Sequence, residues 1–427
     1  MTRTATLSPG RSLAEGVAVA MLAVAASVAM GRLPSWTAQL GALQSLAWGA
    51  SAVLALALIR LARWRVTRDV ALVVVTAVAM RLAVLPRIPE LSDDLWRYVW
   101  DGRVVLAGLD PYAHAPDAPA LAAMRETEVH PRINHPSLRT IYPPFAEAGF
   151  ALAERVHPGW LGMKGWIALN DVALVWVLAV LSRRRCGSAL PAIAYAWNPL
   201  VVIEYAGSGH HDPTALLPLA LAVLLLESRP KWSAACFAAA VLGKLLPLAA
   251  LPLFWRRWPA GARAIAVVAS GAGLAWFLRA ASGEASGLEA YARTWRNNAL
   301  AFEGVERVLG EPVARAVAIT APFVVATVAA ARGAELVRGA RAAFRAGLLL
   351  GPVLHPWYLG WALVWDGVAP SLPWLLLSAL ALLNYGVLAA PAEGGAFHLS
   401  LPWRIVEYGA PALLALALHR TRKAVHE

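Results

Sequence analysis

The chain has 427 residues, of which 59% are hydrophobic and only 15% are charged, with a formal net charge of +12. Soluble globular domains sit near half apolar and about a quarter charged, so composition excludes a soluble enzyme and indicates an integral membrane protein with a mean hydropathy of +0.57. The positive charge is carried by arginines in short loops between apolar runs, the positive-inside pattern rather than a nucleic-acid-binding face.

Taken in order, apolar runs at 16–30, 40–59 and 70–85 predict the first three membrane helices. The first run has the length of a signal peptide, but another apolar run follows within about ten residues, so it reads as a retained helix. Arg60, Arg63, Arg65 and Arg68 place the second connection in the cytoplasm, which puts the next loop, 87–165, outside. Within that loop, 133–156 reads as a turn-rich stretch leading into an amphipathic helix at the membrane interface. Runs at 166–181, 190–203 and 214–226 follow, the last two short of the roughly 20 residues a free-standing span needs.

Between 233 and 255 the apolar run holds Lys244, Pro247 and Pro252 and has basic residues at both ends. This predicts two short helices that enter and return on one side with Lys244 at the turn, an arrangement tolerated only where it lines a cavity or is buried in protein. Runs at 265–280, 312–331, 346–354, 359–365, 372–389 and 405–418 complete the chain. The expectation is an all-α polytopic membrane protein of about 11–13 membrane segments, some short or broken. It forms a single domain, 1–427, with outer loops at 87–165, 205–213, 281–311 and 390–403. Cys186 and Cys236 imply no disulfide framework.

The most informative stretch is LSDDLWRYVWDGRVVLAGLDPY, 91–112. Ser92 can cap a helix that starts with Asp93 and Asp94, and on that helix Asp94, Arg97 and Asp101 fall at i, i+3 and i+7, on one face. Acidic residues after a cap are ordinary dipole chemistry; charge at the mouth of a membrane segment is a functional signal. The other polar clusters land on the same outer side: Asn134, His135 and Tyr142; His210, His211 and Asp212; Trp295, Arg296, Asn297 and Asn298; His355, Trp357 and Tyr358. Capping by the histidines, snorkelling by Lys244 and an interfacial belt for Trp357 and Tyr358 are the bland alternatives.

This inventory suits sugars, whose faces stack on aromatic rings and whose hydroxyls bond to polar tips. A carboxylate that takes a proton from an acceptor hydroxyl would serve glycosyl transfer. A site outside the cell has no sugar nucleotides, so a polyprenyl-phosphate-linked sugar in the bilayer fits as donor, with Lys244 and Arg296 as cations for the departing phosphate.

The 91–112 stretch, together with TIYPP, GSGHHD, GKLLPL, YARTWRNN and HPWYLGW, resembles the GT-C superfamily of polyprenyl-phosphate-sugar-dependent glycosyltransferases, and most closely its polyprenol-phosphate-mannose-dependent mannosyltransferases. The resemblance runs over 70–365. It implies a hexosyltransferase of the bacterial cytoplasmic membrane whose site faces the periplasm or cell exterior. It also implies inverting transfer with a general base in the first outer loop, a role that falls by position on Asp94, with Asp93 as the alternative. The remaining polar residues, Arg97, Asp101, Tyr142, His210, His211, Asp212, Lys244, Trp295, Arg296, Asn298, His355, Trp357 and Tyr358, are expected to bind substrate. Partners are the lipid-linked donor, membrane lipids and a lipid, glycan or protein acceptor, with no nucleic acid. Some relatives use a divalent metal, but no second acidic cluster is evident here, so no cofactor or metal is expected. A secondary transporter or lipid flippase is the competing reading, supported by the intramembrane lysine and broken helices and opposed by the collection of charge at one face.

Overall fold

The fold comes from a computed structural model, which describes residues 8–64, 66–125, 128–389 and 399–426. Among these residues the chain is helical, with one isolated backbone bridge between Asn297 and Val353 and no strand. The first three helices are α1 (Pro9–Arg32), α2 (Leu40–Arg60) and α3 (Asp69–Val84), close to the apolar runs that predict them. Helices α1 and α3 approach so closely that a Cβ at Gly31 would stand 2.1 Å from the Ala83 carbonyl oxygen. The 87–165 loop is largely structured, holding α4 (Asp94–Leu106) and α5 (Pro144–Val156), and it leads into α6 (Trp160–Cys186). Helix α5 buries Ala146, Glu147, Phe150 and Glu154 and leaves Phe145, Leu152 and Val156 exposed, the two-faced pattern of an interfacial helix.

Among the described residues five helices are long and apolar enough to cross a bilayer: α1, α2 and α6, each beginning or ending within three residues of those spans, with Ala260–Ala280 and Glu311–Ala331. Shorter apolar helices at Pro213–Leu225, Leu246–Trp255 and Leu372–Leu388 fill in between them. The protein is therefore a multi-pass membrane protein. The short runs break where proline or polar residues intervene. After α6, capped by Gly187 at φ +78°, the chain passes through Leu190–Ala192, Ile193–Ala196 and Pro199–Val201 into a π-helical segment, Val202–Ser208, where a simple turn was expected. The helix Pro230–Gly243 stops at Lys244, whose extended backbone leads into the short turns Leu246–Ala250 and Leu251–Trp255. The expected 281–311 loop carries two helices, Gly287–Thr294 and Leu300–Leu309. Of the expected 390–403 loop, 390–398 lie outside the described residues, and the helix Leu401–His426 takes in the end of it.

One apolar core runs through nearly all of these helices. Charge inside it is paired: Arg81 on α3 donates to Asp171 on α6 at 2.9 Å, and Tyr195 donates to the other Asp171 oxygen at 2.7 Å. Leaving either ion alone at that depth would be costly, so the pair locks α3 to α6.

Candidate active site

A cavity of about 350 Å³ opens at the end of the bundle where α4 begins. It is walled by the N-terminus of α4, the 134–143 loop that precedes α5, the Lys244 break, the helix Gly287–Thr294 and the HPWY turn. Of the residues singled out from the sequence, Asp94, Arg97, Tyr142, His211, Lys244, Trp295, His355, Trp357 and Tyr358 line it, and Asp93, Asp101, His210, Asp212, Arg296 and Asn298 do not.

Helix α4 starts at Asp94, one residue later than expected, with Asp93 in the cap position. The Ser92 hydroxyl still receives the Asp94 amide at 3.3 Å. Successive helical positions differ by about 100°, which aims the two adjacent carboxylates at different spaces. Asp94 enters the main cavity, its side chain 25% exposed; Asp93 faces a separate polar recess with Ile88, Trp96 and Arg132. Asn134 Nδ2 donates to Asp94 Oδ1 at 3.0 Å, fixing the carboxylate and leaving Oδ2 directed toward His210 Nε2, 4.0 Å away.

Arg97 lies one turn further on. Its Nε sits 2.9 Å from both Asp101 oxygens, Nη1 donates to the Leu138 carbonyl at 2.9 Å, and Nη2 is buried with no protein partner. Asp101 is thus the buried partner of Arg97 and supports the cavity from behind, a correction to its expected contact with substrate. Burial raises the Asp101 carboxyl against the lowering pull of Arg97, and burial with the Asp101 charge pushes Glu147 on α5 well above the usual carboxylate range. Glu147 is held by the Thr140 hydroxyl at 2.6 Å. Sequence reasoning missed Glu147; its only signal is an acid on the inner face of an amphipathic helix.

Lys244 projects from its helix break onto the cavity wall. Its Nζ donates to Asp212 Oδ1 at 2.5 Å and sits 4.8 Å from the centre of the Tyr358 ring. Asp212 is buried beneath it and also accepts from Trp361 Nε1 at 2.5 Å, so it anchors the lysine where direct substrate contact was expected. Tyr358 is joined to Tyr291 by a 2.8 Å hydroxyl contact. Tyr291, like Tyr98 one turn after Asp94, is a lining residue that the sequence reading left out. Its signal was present in the YARTWRNN motif.

Three further placements differ from expectation. Arg296 is engaged by Glu306 at 2.7 Å and Glu311 at 2.9 Å, away from the cavity lining, because it lies in the connection after the helix Gly287–Thr294 and meets acids of the two following helices. Asn298, at φ +49°, is buried and donates to Glu407 at 2.9 Å, tying this segment to the C-terminal helix. His210 lies behind the wall, its ring stacked on Trp357 at 3.8 Å; Trp357 in turn stacks on His355 at 4.2 Å. His355 Nδ1 is hydrogen-bonded to Asn297 Nδ2 at 2.7 Å. Burial, with Lys244 next, pulls the His211 imidazole down to about 3, so it is neutral in the cavity. Among the described residues no group of three or more His, Cys, Asp or Glu converges in a way that could hold a metal ion.

The geometry combines a held carboxylate, the cations Arg97, Arg139 and Lys244, and aromatic side chains in one cavity, an inventory for binding and transferring an activated sugar. No curated protein and no solved structure matches the chain. The sequence profile described as alpha-(1->6)-mannopyranosyltransferase, N-terminal domain, matches residues 12–260, and that of glycosyltransferase family 87 matches residues 140–391. Each match covers more than half of the chain and together they take in every lining residue of the cavity, so the chain belongs to the GT-C type mannosyltransferases that these two families describe.

Proposed function

We propose that this membrane glycosyltransferase moves a hexose, mannose in the first instance, from a polyprenyl-phosphate carrier to an acceptor hydroxyl on the outer face of the bacterial cytoplasmic membrane. The observation that carries the reading is the shared cavity of Asp94 with Lys244 and the partnerless Arg97 Nη2. A sugar or alcohol hydroxyl is a poor nucleophile at neutral pH. Asp94 takes its proton as the oxygen attacks C1, while the C1–O bond to phosphate breaks on the opposite face and the phosphate leaves with the bonding electrons. A single displacement of this kind inverts the anomeric centre. Asn134 holds Asp94 Oδ1, so the carboxylate is oriented before substrate arrives.

The departing phosphate gains negative charge. Lys244, presented at the break between two short helices, and Arg97, with one N–H direction unused, supply the cations on that side. Asp212 and Asp101 neutralise these cations in the resting state from the rear, which keeps two buried positive charges affordable without closing the cavity to an anion. Trp295 and Tyr358 offer ring faces to the sugar, while Trp357, stacked between His210 and His355, presents its edge.

The test uses the purified protein in proteoliposomes with radiolabelled polyprenyl-phosphate-mannose and membrane lipid extract as acceptor source. Thin-layer chromatography should show label moving to a new product with wild type and not with Asp94→Asn. Label that crosses the bilayer on unchanged donor would instead identify a flippase.

A further inference from the structure

Behind Asp94 lies a buried chain of titratable groups that the transfer step itself leaves unused. His210 Nε2 is 4.0 Å from Asp94 Oδ2, and His210 Nδ1 is 3.1 Å from Glu204 Oε2. Glu204 receives the Tyr385 hydroxyl at 2.7 and 2.9 Å. His210 and Glu204 are each 1% exposed, and neither ring nitrogen of His210 has a full hydrogen bond to another group. The local backbone is built for this placement. Glu204 sits in the π-helical segment Val202–Ser208, a conformation that is rare and concentrated at functional sites. The His210 amide closes back onto the Glu204 carbonyl at 3.0 Å. Gly209, at φ +83°, allows that closure, and a Cβ there would meet Leu95 Cδ1 at 2.8 Å. Stacking on Trp357, itself stacked on His355, fixes the plane of the His210 ring.

We infer that His210 and Glu204 form a proton relay that resets Asp94, with His210 the acceptor of the proton and Glu204 the residue that positions and charges it. The inference rests on the reading of Asp94 as general base. As the acceptor oxygen bonds to C1 and the phosphate departs with its electron pair, the acceptor proton goes to Asp94. It then moves to His210 Nε2 across a gap that one bridging water or a small side-chain rotation closes. Asp94 returns to carboxylate, and the imidazolium formed is balanced by the Glu204 carboxylate on its other nitrogen. The proton is released to water when the products leave. The other titratable groups around His210 are His211 beside it, His355 beyond Trp357, and Lys244, whose charge is matched by Asp212. Glu204 and Asp94 are thus the carboxylates that face its two ring nitrogens.

Two measurements test the relay. Nitrogen NMR of histidine-labelled protein in detergent reads the His210 titration without substrate. Glu204→Gln, and separately Asp94→Asn, should each lower it by about one pH unit or more, as expected for losing an adjacent opposite charge. In the transfer assay, Glu204→Gln and His210→Gln should reduce turnover roughly tenfold or more, less than the 10²–10⁴ of the base itself, with donor KM little changed. A less basic His210 titrates at lower pH, so the acid limb of the Glu204→Gln profile should move down as its plateau falls. A purely structural role would lower the plateau and leave the limb in place. A folded Glu204→Gln with wild-type His210 titration and wild-type pH profile overturns the relay, as does His210→Gln with full turnover. If wild type transfers no sugar while both titration shifts are seen, the donor reading fails and the His210 coupling stands.

Discussion

At the scale of single residues, the site separates two adjacent carboxylates that look equivalent in sequence. Asp94 enters the cavity and Asp93 turns away from it. Asp94→Asn should lower turnover by about 10²–10⁴, the usual worth of general-base help, with donor binding nearly unchanged; Asp93→Asn should be far milder. Steady-state rates and donor retention on the two purified variants decide the matter, and two fully active variants would remove the base from this helix. Lys244 requires a different design. A lone lysine in an apolar run suggests that Lys244→Met is harmless to folding, but Lys244 neutralises the buried Asp212. The single substitution leaves a buried carboxylate uncompensated and should cost about 3–5 kcal/mol. Lys244→Met with Asp212→Asn should recover most of the melting temperature while still raising the donor KM. Recovery of both would take Lys244 out of phosphate binding.

At the scale of elements, α4 is positioned by α5, and the closest point is Gly102. A Cβ there would lie 2.7 Å from the Phe150 carbonyl oxygen and 2.8 Å from its carbon, both backbone atoms that cannot step aside. Gly102→Ala must therefore push the helices apart. It should cost about 1–3 kcal/mol, seen as a lower melting temperature in detergent. The same interface carries a pH signature. Glu147 on α5 titrates well above its ordinary 4.5, first through burial and then through Asp101. The folded protein then binds more protons than the unfolded chain between that ordinary value and the raised one. Stability from this group is complete at low pH and is lost as pH rises through the folded value. Glu147→Gln should flatten the fall in melting temperature between mildly acidic and alkaline pH. A variant with the same slope as wild type would mean that another group carries the proton.

At the scale of the whole molecule, segments separated by more than two hundred residues wall one cavity, whose lining runs from Ser92 to Tyr358. The backbone bridge between Asn297 and Val353 and the reach of Arg139 to the Ser282 carbonyl, at 2.6 Å, stitch the loops together. If they share one side of the membrane, exposed cysteines at Ala120 and Arg338 should label oppositely with an impermeant thiol reagent. The assay needs a background in which Cys186 and Cys236 are replaced by serine, because both are free thiols. Labelling of both sites from the same side would dismantle the outward-facing assignment.

Hydropathy and charge by themselves determined the membrane class, the helix boundaries of α2 and α3 to within a residue of the apolar runs, and the break at Lys244, while α1 starts seven residues before its run. These are local: an apolar run, a proline or a buried lysine speaks through its immediate neighbours. Helical period also placed Asp94 and Arg97 on one face, and both line the cavity. What the period cannot say is which partner a face meets. Only tertiary packing decided that Asp212 lies beneath Lys244, that Arg296 is taken up by Glu306 and Glu311, and that His210 sits behind Trp357. Glu147 and Glu204 passed unnoticed for the same reason. Each is a single acid in an apolar stretch whose meaning comes from a residue far away in the chain, Asp101 for one and Tyr385 for the other. A buried charge is defined by what neutralises it, and in this protein the neutralising group usually belongs to another helix.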